Sequence, residues 1–141
     1  MPLIFIASDH AGFELKQYLI ETLKEGIRDL GTYSTESCDY PIYAHKLTEE
    51  VLNNTNSVGI LICGSGVGMS ITANRKNGIR AALCSNEEIA ELSRKHNDAN
   101  VLVLGARFIS KECALKCVRT FLQTPFEGGR HARRVELIDR Y

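Results

Sequence analysis

Val58-Gly59-Ile60-Leu61-Ile62-Cys63-Gly64-Ser65-Gly66-Val67-Gly68 is the stretch on which the fold turns. Its first half, Val58 to Ile62, is apolar at every position rather than at alternate ones. That pattern marks a strand with both faces covered, as in a parallel sheet. The second half places glycine at alternate positions, 64, 66 and 68, which lets the backbone turn tightly and direct its N–H groups inward. A helix is expected beyond the loop, up to Asn74.

The same alternation extends in both directions. Upstream, Leu3-Ile4-Phe5-Ile6-Ala7 forms a first strand that ends in polar Ser8-Asp9-His10. A helix follows from about Gly12 to Lys24, with Phe13, Leu15, Tyr18, Leu19 and Leu23 at helical spacing. Ile27 to Leu30 is a weak second strand, and Pro41 suits the first turn of a helix carried on by Tyr43 to Leu52. Downstream, Ile79 to Leu83 is a fourth strand. Ser85-Asn86-Glu87-Glu88 fits a capping box for a helix reaching Lys95. Val101 to Leu104 is a fifth strand, ended by Gly105. A helix from Ser110 to about Leu122 and a basic, helical tail, about 128–141, complete the chain.

Strands alternating with helices imply an α/β protein: a Rossmann-like three-layer α/β/α sandwich on a five-stranded parallel sheet, one domain over 1–141. In such sheets ligands bind beyond the carboxyl ends of the strands. Asp9, His10, Cys63 to Gly68, Ser85 and Arg107 therefore fall on one edge.

Lys+Arg and Asp+Glu are both 17, so no global field draws the chain to nucleic acid, a membrane or acidic partners. No apolar run nears the roughly 20 residues of a membrane span. Met1 to Phe5 has neither basic region nor cleavage motif and does not read as a signal peptide. The five cysteines are odd in number and contain no C-x-x-C pair, unlike a disulfide framework or a zinc site. Cys113 and Cys117, four apart on one helix, read as core residues. The expectation is a cytoplasmic protein with no metal.

The glycine loop has several named alternatives, and Met69 opposes three of them. A P-loop needs Lys-Ser/Thr after its last glycine, a dinucleotide fingerprint needs glycine at 69, and a phosphatase loop needs arginine there. What remains is either a plain tight turn or an anion cradle with a thiol beside it. The positive end of the following helix would favour the thiolate form of Cys63, able to act as nucleophile or general base. The amides of Gly64, Ser65, Gly66, Val67 and Gly68 would then hold a developing oxyanion. His96, at the end of a helix, suits either carbonyl capping or catalysis. His45 reads as a solvated or interface side chain. Arg130 and Arg134 lie four apart, so on a helix they share a face fit for a phosphate dianion.

Ser8-Asp9-His10-Ala11-Gly12-Phe13, Asp39-Tyr40-Pro41, the Cys63 to Gly68 loop, His96-Asn97-Asp98-Ala99-Asn100-Val101 and Gly128-Gly129-Arg130-His131 together resemble the ribose-5-phosphate isomerase B family, in order and over essentially the whole chain. The resemblance implies a homodimer or homotetramer with its active site between subunits, a sugar phosphate as the only small-molecule partner, and no cofactor. It implies Cys63 as the base moving a proton between C2 and C1, Ser65 assisting the amide hole, and His96 opening the furanose ring. Asp9, His10 and Asn97 match sugar-binding positions; Arg107, Arg130 and Arg134 match phosphate-binding ones; Tyr43 is a candidate wall. Some members of the family carry a carboxylate base just after the loop, where this chain has Met69. Two rivals stand beside this reading: an isomerase of galactose 6-phosphate or allose 6-phosphate, and a sugar-phosphate-binding protein without turnover. The His-Asn-Asp block and the arginine tail disfavour the first rival.

Overall fold

The computed structural model describes residues 2–141; Met1 lies outside them. Five strands, β1 (Leu3–Ser8), β2 (Ile27–Asp29), β3 (Ser57–Cys63), β4 (Ala81–Leu83) and β5 (Val101–Gly105), alternate with α1 (Phe13–Leu23), α2 (Tyr40–Asn53), α3 (Val67–Ala73), α4 (Glu87–Asn97) and α5 (Lys111–Gln123), and a short α6 (Arg130–Leu137) follows. All pairings are parallel, in the order β2-β1-β3-β5-β4. The result is the expected three-layer sandwich on a five-stranded parallel sheet. Among the described residues no helix is long and apolar enough to cross a membrane.

Alternate side chains along each strand feed two separate cores. On one face Ile4, Ile6, Ile60, Ile62, Leu102 and Leu104 pack with Leu15 and Leu19 of α1 and with Cys117, Val118 and Phe121 of α5. On the other, Phe5, Ala7, Leu61 and Val103 pack with Leu47 and Val51 of α2 and Met69 of α3. Double burial explains the unbroken apolar run of β3.

The chain leaves β1 toward β2 on one side, and β3 pairs on the other. The strand order thus reverses between β1 and β3, which opens a crevice at their carboxyl ends. The Asp9 N–H donates to the carbonyl of Ile62 (3.2 Å) and holds the two strand ends together there.

Element boundaries depart from expectation where side chains take over backbone partners. The α4 cap is Asn86, whose Oδ1 accepts from the Ile89 N–H (2.9 Å), and not a box begun by Ser85. Strand β4 starts at Ala81 rather than Ile79, because the Arg80 N–H is taken by Asn100 Oδ1 (2.8 Å). Helix α2 begins at Tyr40, with Pro41 in its first turn, and α6 stops at Leu137 instead of running to Tyr141.

Phe121 is 1% exposed at the centre of the first core. Phe121→Ala is expected to cost about 3–5 kcal/mol through lost burial and the residual cavity, read as a lower urea midpoint at fixed protein concentration.

Candidate active site

Cys63 ends β3, and its buried Sγ accepts a hydrogen bond from the Gly66 N–H at 3.2 Å. Gly66 makes this possible with a left-handed φ of 82°. A Cβ there would collide with Leu83 and sit 3.2 Å from the Leu104 carbonyl carbon. Ser65 Oγ accepts from the Val67 N–H (3.2 Å), which leaves its own hydrogen free to donate outward. Gly64 and Gly68 permit two close approaches. The Arg107 guanidinium lies over Gly64, and the Tyr40 ring lies where a Cβ on Gly68 would come within 2.5 Å of it.

These groups wall a cleft of about 480 Å³ lined by Asp9, His10, Tyr40, Cys63, Ser65 and Arg107, among others. Asp9 is buried, and its Oδ1 accepts from the Gly12 N–H (3.1 Å). His10 Nδ1 accepts from the Cys38 N–H (3.2 Å). An amide can only donate, so Nδ1 carries no proton and Nε2–H is the donor left for a ligand. The thiol, the Ser65 hydroxyl, one carboxylate, one imidazole N–H donor and one guanidinium therefore line a single cavity, walled on one side by the glycine loop.

The remaining predicted residues lie elsewhere. Strand β5 begins at Val101 and ends at Gly105, which pairs with Cys63. Residues 96 and 97 precede the start of β5, whereas Cys63 faces its end. Four strand steps of about 3.3 Å separate the two edges by roughly 13 Å. His96 and Asn97 line a second cavity of about 330 Å³ with His131, Arg134, Val135 and Ile138. The two cavities share no lining residue. The predicted phosphate set splits accordingly: Arg107 borders the cysteine cleft, while Arg130 and Arg134 stand on α6.

Tyr43 does not wall the cleft. Its hydroxyl donates to Thr32 Oγ1 (3.3 Å) and its ring packs on Gly31, while Tyr40, one turn earlier, takes the wall position against Gly68. Three contributors escaped sequence reasoning: Tyr40, Cys38 as the orienter of His10, and His131. Two aromatics three apart on one helix signal a wall, but only the packing tells which one meets Gly68.

Cys84 and Cys117 are buried core residues with Cys113 half-buried against them, whereas Cys38 is half-buried beside His10. Burial pushes the Cys84 thiol up to about 11, and burial, then Cys113, pushes Cys117 up to about 12. His45 is exposed on α2. His96, Glu127 and His131 bring ligand-type atoms within 4.8 Å of one another. The two imidazoles are stacked, however, with centroids 4.3 Å apart and planes 14° from parallel. Their in-plane lone pairs run in separate, nearly parallel planes and do not converge on one ion.

Fold and site together define an α/β sandwich with a thiol-bearing cleft, bordered by a glycine loop and a guanidinium, at its topological switch point. The chain belongs to the ribose/galactose isomerase family, whose model matches residues 4–138. It is 47% identical to the ribose-5-phosphate isomerase B of Escherichia coli, over 98% of this chain and 95% of that one. The crystal structure of a ribose 5-phosphate isomerase from Thermotoga maritima superposes with a TM-score of 0.94 at 53% identity, covering 98% of this chain and 97% of that one. That of ribose-5-phosphate isomerase B from Mycoplasma genitalium, with bound ribulose-5-phosphate, gives 0.93 at 44% identity, covering 98% and 94%.

Burial, then the neighbouring His96 and Arg130, hold the His131 imidazole below its ordinary 6.5, against the pull of Glu127. The folded chain thus favours the neutral ring. Below pH 6.5 the unfolded chain takes up a proton that folded His131 still refuses, so this contribution to stability is whole above 6.5 and is lost as pH falls toward the folded value. Urea midpoints at about pH 7.5 and about pH 5.5 should differ less in His131→Phe than in the wild type.

Proposed function

We propose that the chain interconverts ribose 5-phosphate and ribulose 5-phosphate through an enediolate, with Cys63 as the base. The observation that carries this reading is the Cys63 sulfur on the floor of a cleft, 3.2 Å from an inward-turned amide of the Gly64 to Gly68 loop. Cys63 as thiolate removes the C2 proton of the open-chain aldehyde, and the electron pair moves to O1. The loop amides and the Ser65 hydroxyl receive that charge, which exists only during reaction, so they favour the transition state over the bound sugar. The thiol returns the proton at C1 while the O2 proton passes to O1, so that O2 becomes the ketone oxygen and O1 the hydroxyl of a primary alcohol. One C–H bond breaks and one forms, and the exchange is redox-neutral, so the reaction calls for no hydride or electron carrier.

For sugar hydroxyls Asp9 offers an acceptor, the His10 Nε2–H a donor, and the Asn97 amide both. Arg107, Arg130 and Arg134 are the phosphate ligands, and His96 protonates the ring oxygen as the furanose opens. C1 and the ring oxygen are bonded neighbours, so Cys63 and His96 must both reach the same few ångströms. They stand on opposite edges of one sheet. The active site is therefore built from two copies: the cysteine cleft of one and the His96, Asn97 and Arg134 surface of the other. Apolar side chains exposed around the cleft support the pairing, including Val67 (49%), Ile71 (55%) and Phe108 (75%). The relative solved with ribulose-5-phosphate supports the substrate.

Incubation with ribose 5-phosphate in heavy water should yield ribulose 5-phosphate carrying solvent deuterium in at least part of the product. Cys63→Ala should abolish turnover and leave phosphate binding largely intact. Arg134→Ala should weaken substrate binding by roughly 1.5–3 kcal/mol through lost charge-assisted hydrogen bonds. Wild-type turnover in Cys63→Ala would contradict the assignment of the base, and binding without turnover in the unmodified protein would favour a sugar-phosphate sensor.

A further inference from the structure

The isomerase reading uses His96 and leaves its neighbour without a task. His131 is buried to 9% exposure on α6, and its ring stacks on that of His96. The segment before α6 is shaped to place it there. Gly128 and Gly129 adopt φ of 71° and 56°, the His131 N–H donates to the Gly128 carbonyl (3.1 Å), and the Glu127 N–H donates to the carbonyl of Lys95, next to His96 (3.1 Å). Positive φ at two successive residues is natural for glycine, and the turn it makes sets one face of α6 against the end of α4. Glu127 Oε1 stands 3.6 Å from His131 Nε2 and limits rotation of the ring.

We propose that His131 is a positioning residue for ring opening, holding the His96 imidazole by stacking so that one nitrogen faces the sugar's ring oxygen. The proposal rests on the isomerase reading and extends it to a residue that need not touch substrate. His96 is half-buried and lines the cavity edge; among the described residues its side chain has no hydrogen bond to fix its orientation. The stacked ring supplies what a hydrogen bond would supply elsewhere. It also has to remain uncharged, since two imidazolium rings with centroids 4.3 Å apart repel. The surroundings favour that state: burial, His96, Arg130 and Arg134 all oppose a proton on His131, and Glu127 alone favours one.

The two substrates separate ring opening from proton transfer. Ribose 5-phosphate closes through O4 onto C1 and must be opened. Ribulose 5-phosphate has its C5 oxygen esterified, cannot close a five-membered ring onto C2, and reaches Cys63 already open. His131→Ala should therefore slow conversion of ribose 5-phosphate by about ten- to a hundred-fold, the scale of a misplaced reacting group. Deuterium exchange into ribulose 5-phosphate at C1 should stay within about two-fold of wild type, since that step asks only for the base and its amides. His131→Phe keeps a flat ring on His96 and should restore most of the lost rate. Equal slowing of both reactions by His131→Ala would mean a structural role and overturn the proposal, as would no slowing of either, or a Phe variant as slow as the Ala one. Absence of exchange in the wild-type protein would instead bring down the isomerase reading itself.

Discussion

In a sheet whose strands all run one way, every strand delivers its following residue to the same edge and receives its preceding residue from the opposite one. That directionality distributes the chemistry of this chain. Asp9 and His10 follow β1, Cys63 ends β3 and Arg107 follows β5, so they share the edge where the strand order reverses. His96 and Asn97 end the helix that leads into β5, so they emerge at the far edge, where α6 packs on α4 and adds Arg134. No side-chain rotation spans the roughly 13 Å of strand between the two groups. The proposed reaction, which brings the thiol and the imidazole to neighbouring atoms, is therefore one for two chains, each supplying the half that the other's fold has put out of reach.

Within the cysteine half, the work is done by positions where a side chain has no room. The loop after β3 passes so close to β5 that a Cβ on Gly105 would enter the Ser65 backbone, and one on Gly66 would enter Leu83. Such contacts leave the loop few alternative paths. Its N–H groups are thus fixed before any ligand arrives, which is what makes amides effective against a transient charge: nothing has to reorganise when the charge appears. The histidine half is held differently, by a glycine-shaped turn and by one ring lying on another.

The features legible in the sequence were those written in local patterns. The unbroken apolar run of β3, the glycine alternation after it and the strand–helix rhythm led to the sandwich and to the cleft edge, because burial on both faces and tight turns each leave a one-dimensional trace. Helix starts were less legible at α4, where adjacent Ser85 and Asn86 are both competent caps and only the final geometry selects Asn86. Tyr40 and Tyr43 have the same chemistry one turn apart, and the choice between them depends on which helix face meets Gly68. The pairing of His131 with His96 joins residues 35 positions apart through the docking of α6 on α4, a tertiary contact that no periodicity records.

The most direct test of a site shared between two chains is complementation. Cys63→Ala and His96→Ala chains, each inactive alone, are mixed, unfolded and refolded together, and assayed on ribose 5-phosphate. If each site takes its thiol from one copy and its imidazole from another, half of the randomly paired dimers are mixed and each carries one intact site, so activity should return to roughly a quarter of wild type. A refolded mixture that binds phosphate and pairs normally yet stays as inactive as its components would contradict the account.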